Sequence, residues 1–313
     1  MQDANKEDLK GTITANSFSG FPSFFRRQTG TDFSTADVVV YGLPFDLGTS
    51  NRPGSRFGPR AIREASLQLA WGEVWPWAFD PFDRLSVLDA GDIEYTYADQ
   101  SGFAKAAFDR AKAIVKAGAI PFSLGGDHSV TYSSLTGVTA IKGPVALLHF
   151  DAHTDTSRGP IEQHGTMFRH AVNEGDILAE HSIQIGIRTA YIKHDAYMRL
   201  HAPEAMAMPA GHMADLIVER LADTPCYLTF DIDCLDPAFA PGTGTPIPGG
   251  LSTLHVLNVI RALGSRAAKG KINIVGLDLV EVAPCYDHAQ TTSLAAAQIA
   301  QEMLCMLAAA KTA

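Results

Sequence analysis

The stretch HFDAHTDT, residues 149 to 156, sets His149, Asp151, His153 and Asp155 at every second position, directly after the apolar run PVALL. In extended backbone, alternate side chains leave on the same face. The spacing therefore gathers imidazoles and carboxylates on one side, where the carboxylates repel each other unless a cation stands between them. Two further apolar runs end in the same way. SLGGDHS offers Asp127 and His128 after a Gly-Gly turn that lets the backbone approach a site closely, and TFDIDCLDP offers Asp231, Asp233 and Asp236. One Asp at a strand end is usually a turn or helix-cap residue; three ends carrying only His and Asp predict a metal site. Imidazole and carboxylate without thiolate favour a harder ion than a structural cysteine zinc site. The candidate ligands exceed what a single tetrahedral ion takes, and the Asp carboxylates would neutralise two divalent cations. The expected chemistry is two-metal hydrolysis.

The elements that must position these groups follow a rhythm of short apolar runs ending in Gly, Asp or His: VVVYGLPFD, RLSVLDAGD, AIPFSLGGDH, PVALLHFDAHTD, SIQIGIRT, PCYLTFDIDCLD and INIVGLDLVEV. Runs that are continuously rather than alternately apolar predict strands buried on both faces, as in a parallel sheet. Between them, SGFAKAAFDRAKAIVKAG reads as a helix with a Ser cap and a closing Gly. ADLIVERLAD, LSTLHVLNVIRALG and SLAAAQIAQEMLCMLAAAK also read as helices, and EAMAMPAG as a further strand. The expectation is one doubly wound, three-layer α/β/α domain over residues 36–313, preceded by a loosely patterned arm over residues 1–35. Ligands in such sheets bind at the carboxyl ends of the strands near a topological switch, which is where the His and Asp residues lie.

Bulk composition agrees with this and excludes little else. The chain has 313 residues, 46% hydrophobic and 19% charged, with a net charge of -9. That balance argues against a broad nucleic-acid surface. Cys226, Cys234, Cys285 and Cys305 form no C-x-x-C pair, so a reducing compartment fits better than a disulfide framework. The start, MQDANKEDLKGTITANS, is polar and carries no apolar signal region, and no apolar run reads as long enough to span a bilayer. A cytoplasmic protein is expected.

GGDHS, DAHTD and DIDCLDPAFAPGTGTPIPGG, taken together, resemble the three signature motifs of the ureohydrolases, the family of arginase and agmatinase. The likeness extends to RPGSRFGPRAIR and DLVEVAPCYD, and so covers most of the chain from about residue 38. It implies a parallel sheet of about eight strands, two manganese ions, and a homo-oligomer (trimer or hexamer). Carried over motif by motif, one ion is held by His128, Asp151, Asp155 and Asp231, the other by His153, Asp151, Asp231 and Asp233. Asp155 is also implied to hold the attacking hydroxide. His164 matches a position that shuttles a proton near the leaving amine, Glu281 one that lies under the substrate guanidinium, and Thr245 one that orients substrate. Bidentate charge-assisted pairing suits a planar cation on a buried carboxylate. The stretches LQLAWGEVWPWAFDPFDRLSVLDAGD and HGTMFRHA look most like bacterial agmatinases, and Ser157 stands where arginases carry an Asn. Agmatine, giving putrescine and urea, is therefore the expected substrate. A guanidino acid such as 4-guanidinobutyrate or 3-guanidinopropionate is the alternative if Arg158 points into the pocket. A non-catalytic metal-binding subunit would be favoured by a missing ligand, and none is missing.

Other residues carry blander expectations. His149 shares strand parity with the ligands but is expected to be a core residue or a support for one, Asp127 to orient a neighbour, and Asp236 to serve a turn before Pro237. Trp71, Trp75 and Trp77 all fall in WGEVWPWAFDPF, where Pro76 argues against one continuous helix. They are expected to line a pocket mouth, anchor a subunit contact or form a satellite hydrophobic cluster.

Overall fold

The structure, a computed structural model, describes residues 16–193 and 195–311. Eight strands form one sheet: β1 (Val38–Leu43), β2 (Val87–Asp92), β3 (Ile120–Gly125), β4 (Ala146–Phe150), β5 (Ile183–Ile187), β6 (Met198–His201), β7 (Cys226–Asp231) and β8 (Ile274–Val280). Their order is β2-β1-β3-β8-β7-β4-β5-β6, and every seam is parallel. The continuous apolar runs have a direct cause. In β1, Val38 and Val40 enter one core while Val39, Tyr41 and Leu43 enter the other. A strand covered on both faces has no solvent side on which to place polar residues.

Nine α-helices accompany the sheet among the described residues: α1 (Gly58–Ser66), α2 (Pro81–Arg84), α3 (Gln100–Lys116), α4 (Val130–Lys142), α5 (Met167–Asn173), α6 (Ala202–Ala207), α7 (Ala210–Leu221), α8 (Thr253–Ala267) and α9 (Thr291–Ala310). Apolar side chains of α1, α7, α8 and α9 fill one core and those of α3, α4 and α5 the other, giving the expected three layers.

Several local expectations are corrected. EAMAMPAG is not a strand: α6 occupies Ala202–Ala207, with Pro203 in its first turn and the Glu204 carboxylate accepting from the His201 amide. Ala and Met favour helix once the backbone is free of a sheet neighbour. The strand sits just upstream, as the short edge strand β6, whose MRLH sequence carries no apolar run. In α3 the cap is Asp99 rather than Ser101; its carboxylate accepts from the Gly102 amide at 2.8 Å. By length and composition α9 is long enough to cross a bilayer, contrary to the expectation that no run is, but 83% of its most apolar stretch is buried inside the fold. Within α9 the buried Glu302 accepts from Arg261 and, at 2.5 Å, from the Trp77 indole.

The tryptophans do not form one cluster. Trp77 packs against the core, where a Cβ on Gly264 would come within 2.2 Å of its ring. Trp71 and Trp75 are exposed, with the guanidiniums of Arg26 and Arg261 over their rings. Of the expected N-terminal arm, residues 1–15 lie outside the described residues. Phe24 and Phe25 are buried in the main core, with their amides held by Asp89 and Ser66.

Candidate active site

The four central strands β3, β8, β7 and β4 are adjacent and parallel, so their carboxyl ends share one edge of the sheet. His128 leaves that edge just past β3, Glu281 past β8, Asp231 at the end of β7 and Asp151 just past β4. This is also where the strand order reverses, since the chain passes from β3 to β4 across the places later taken by β8 and β7. Residues from four separate segments of the sequence thus converge because parallel strands all stop on the same side.

The carboxylates and imidazoles pack into two groups that share one residue. In the first, Nδ1 of His128 lies 3.1 Å from Asp151 Oδ2, 2.9 Å from Asp155 Oδ2 and 3.3 Å from Asp231 Oδ2. In the second, Nδ1 of His153 lies 3.3 Å from Asp151 Oδ1 and 3.1 Å from Asp233 Oδ2. Asp151 therefore turns one oxygen to each group. Asp231 and Asp233 are tied together by the Asp233 amide, which donates to Asp231 Oδ1 at 2.8 Å. All six residues sequence reasoning chose as ligands are brought together. His149 joins them from below, with Nε2 2.8 Å from Asp151 Oδ2.

The orientation of His128 is imposed from underneath. Its Nε2 contacts Thr229 Oγ1 at 2.8 Å, and that hydroxyl donates its proton to Asp278 at 2.6 Å. The hydroxyl can then only accept from Nε2–H, which leaves Nδ1 facing the carboxylates. That Nδ1 is buried and lines up with none of the three oxygens as a hydrogen bond, although all lie within 3.3 Å. A cation at this point would satisfy the orphaned nitrogen and the oxygens together, so the donor set fits a metal.

The electrostatics say the same. Burial, followed by the charges of Asp233 and Asp151, pushes Asp231 well above the usual carboxylate range. Burial also opposes charge on His128, yet Asp151, Asp155 and Asp231 push it well above its ordinary value. His153 is driven to about 12 against its own burial by Asp233 and Asp151. Buried carboxylates crowded in this way draw positive charge to themselves. His128, His149, Asp151 and Asp155 form one His/Asp group able to hold a metal ion, and Asp151, His153 and Asp233 a second.

His164 and Glu281 meet beside the cluster. His164 Nδ1 lies 2.8 Å from Glu281 Oε1, which also accepts from the His128 amide at 2.9 Å. On the other side of the ring the Ser50 amide donates to Nε2 at 3.1 Å, and Ser50 Oγ lies 2.7 Å from it. An amide can only donate, so in the neutral ring Nε2 is the acceptor and the proton sits on Nδ1 toward Glu281. Burial works against charge on His164, but the Glu281 hydrogen bond and charge raise it to about 9. Glu281 keeps its second oxygen, Oε2, buried and, among the described residues, without a partner. A Cβ on Gly244 would lie 3.4 Å from that oxygen and 2.9 Å from the Arg52 carbonyl, so only glycine leaves the space clear. Glu281 and Asp155 both hold positive φ, 65° and 51°. Backbone strain of this kind persists where surrounding structure imposes it and concentrates at functional sites.

Thr245 donates to Asp233 Oδ2 at 3.1 Å and stands at the site. Asp127 orients neighbours: its carboxylate accepts from the Gly48 amide at 2.8 Å and from Ser129. Burial and then the Glu281 charge push Asp127 up to about 7. Asp236 is a turn residue, accepting from the amides of Ala238, Gly249 and Gly250.

Over the cluster opens a cavity of about 190 Å³ lined by Ser50, His153, Thr154, Asp155, Ser157, His164, Gly165, Thr189, Ala190, Asp231 and Thr245. Among the described residues no lysine or arginine lines it, and Arg158 is exposed. Glu281 is not part of the lining; it lies behind His164. Sequence reasoning missed Ser50 and Thr189, which reach the cavity from distant segments and carry no motif. It also missed Arg188, whose guanidinium donates to the carbonyls of Gly186, Asp233, Cys234, Leu235 and Ile247 and so clamps the segment that carries Asp233.

Comparison with known proteins agrees with this architecture. The sequence profile of the Arginase family matches residues 36–306. An agmatinase of Serratia proteamaculans (strain 568) is 48% identical over 310 residues, covering 98% of this chain and 98% of its own length. The crystal structure of a hypothetical agmatinase from Burkholderia thailandensis superposes with a TM-score of 0.90 at 43% identity, over 95% of this chain and 94% of that one. Proclavaminate amidino hydrolase from Streptomyces clavuligerus superposes with a TM-score of 0.88 at 40% identity, over 95% of this chain and all of its own. With sheet order, strand-end cluster and sequence in agreement, the chain belongs to the arginase family and is a ureohydrolase enzyme.

Proposed function

We propose that this enzyme hydrolyses agmatine to putrescine and urea, using two manganese ions held by His128, Asp151, Asp155 and Asp231 on one side and His153, Asp151, Asp231 and Asp233 on the other. The observation that carries the substrate is the lining of the cavity. Hydroxyls of Ser50, Ser157, Thr189 and Thr245 stand with the carboxylates of Asp155 and Asp231, and no lysine or arginine is among them. An ammonium tail meets acceptors there, whereas a carboxylate tail meets no lysine or arginine among the described residues. The exposure of Arg158 supports the same choice, as does the similarity to agmatinases.

When bound, two divalent cations make a water acidic enough to attack at neutral pH. The chain's own residues do the rest. Asp155 orients the attacking oxygen. Glu281, bonded to His164 at the cavity wall and with Oε2 buried beside Gly244, is the carboxylate that would hold the planar guanidinium for attack. His164 lines the cavity with Glu281 beside its Nδ1, in place to deliver a proton to the departing amine.

A second reading, hydrolysis of a guanidino acid, is favoured by the 40% identity to proclavaminate amidino hydrolase. The two separate in one experiment: urea release from agmatine, 4-guanidinobutyrate, 3-guanidinopropionate and arginine under matched conditions, repeated with Arg158→Ala. Agmatine should be preferred by both proteins. A kcat/KM for 4-guanidinobutyrate well above that for agmatine, falling selectively in Arg158→Ala, would overturn the agmatine reading. Elemental analysis of active enzyme should find two manganese ions per chain; one tightly held zinc would overturn the binuclear reading.

A further inference from the structure

One register of the sheet is polar from its centre to its edge. Across adjacent strands Asp278 pairs with Thr229, Thr229 with His149, His149 with Gln184, and Gln184 with Arg199. This row lies one side-chain layer below the metal cluster, since His149 and Thr229 stand two residues before Asp151 and Asp231 on the same strand faces. The Asp278–Thr229 end sets His128, as described above. The other end reaches the cluster only through His149, and its side chains are buried, where polar groups are costly unless each finds its partner.

The proton positions along this second arm follow from chemistry alone. Arg199 has only donors, and its Nε donates to Gln184 Oε1 at 2.8 Å. The Gln184 NH₂ group must then face the other way, where it donates to the Thr154 carbonyl at 2.6 Å and toward His149 Nδ1 at 3.0 Å. His149 Nδ1 is thereby the acceptor, so the ring carries its proton on Nε2, which donates to Asp151 Oδ2 at 2.8 Å. Arg199 is itself locked by Asp195 at 2.7 Å and by the Tyr191 ring, 4.5 Å from its guanidinium carbon. Tyr191 directly follows Thr189 and Ala190 of the cavity wall. A single guanidinium at the sheet edge thus holds both the wall loop and, through two residues, the carboxylate shared by the two metal-binding groups.

We propose that Arg199 and Gln184 are positioning residues for metal binding: they fix the His149 tautomer so that it always presents N–H to Asp151. Without that constraint the Gln184 amide is free to turn over and His149 to present a lone pair to the carboxylate, which would push Asp151 out of place. The proposal rests on the reading that Asp151 is a metal ligand.

The test is metal affinity, measured by dialysing holoenzyme against a series of fixed free manganese concentrations and counting bound metal. Arg199→Met should raise the concentration for half-occupancy by about tenfold or more, in the range usual for groups that support a ligand. Arg199→Lys, which still offers a donor to Gln184, should recover most of that loss. His149→Phe should weaken binding comparably, and the double variant Arg199→Met/His149→Phe should be no weaker than His149→Phe alone. Losses that multiply in the double variant, or no recovery with lysine, would show that Arg199 acts only by supporting the fold and would overturn the proposal. Wild-type affinity in Arg199→Met would do the same. If Arg199→Met does not fold, Gln184→Met, which leaves the Arg199–Asp195 pair in place, carries the same expectation and the same refutation. Asp151→Asn distinguishes the underlying reading: if it binds manganese as wild type does, Asp151 is not a ligand. Loss in Asp151→Asn beside no change in Arg199→Met or Gln184→Met would sink the relay alone.

Discussion

Replacing Glu281 by Gln separates anchoring of the guanidinium from everything else the residue does. Glu281 Oε1 accepts two bonds, from the His128 amide at 2.9 Å and His164 at 2.8 Å. A glutamine carbonyl in that position accepts both, so neither donor is orphaned. The positive φ of 65° costs a glutamine what it costs a glutamate, so the backbone gains no reason to relax. What disappears is the negative charge at Oε2, the oxygen the protein leaves without a partner. Truncating one member of a buried, hydrogen-bonded charge pair costs about 2–5 kcal/mol, and an isosteric change belongs in the lower part of that range. At about 1.4 kcal/mol per factor of ten, a loss of about 2–4 kcal/mol lowers kcat/KM by about 30- to 700-fold. Urea release under matched conditions gives that ratio, and elemental analysis should show metal content unchanged, because Glu281 is not a proposed ligand. A kcat/KM within about threefold of wild type would refute the guanidinium role. A loss of activity that tracks a loss of metal would instead make Glu281 part of the cage.

Other consequences follow from neighbouring contacts. Ser50→Ala removes the hydroxyl at His164 Nε2 and leaves the Ser50 amide; one hydrogen bond of about 0.5–1.5 kcal/mol predicts a drop in kcat of about 2- to 12-fold with KM little changed. An unaltered kcat would remove Ser50 from the site. In metal-stripped protein, His164 is raised from 6.5 to about 9, so the stability it contributes is fully present below pH 6.5 and is lost as pH climbs through 9. Wild type should therefore lose stability relative to Glu281→Gln across that interval; a Tm difference that stays constant with pH would contradict the pairing. Arg188→Met strips the donor from five carbonyls around residues 186, 233–235 and 247 and should destabilise the fold by about 3 kcal/mol or more, read by denaturant unfolding. A cost under about 1 kcal/mol would mean that water replaces the clamp.

Much of this protein was legible in its sequence because parallel sheets impose simple rules. Strands buried on both faces must be continuously apolar, so VVVYGL, ALLHF and IVGLDLV announced themselves. Parallel strands all end on one side, so the Asp and His residues that close β4 and β7 had to meet the one that follows β3. The residues that gather at that edge could be named before any contact was known. Tertiary structure decided what depends on lateral register and on chain crossings. Ser50 reaches His164 across 114 residues, and nothing in its own neighbourhood marks it. Gln184 lies beside His149, and Arg199 beside Gln184, only because β5 and β6 are set at one particular stagger against β4. The edge strand β6 was missed and α6 misread for a related reason: at the margin of a sheet one neighbour is absent, the demand for apolar residues weakens, and local sequence no longer distinguishes strand from helix. Side-chain type determined which groups could bind a metal; only the packed sheet determined which of their atoms would face it.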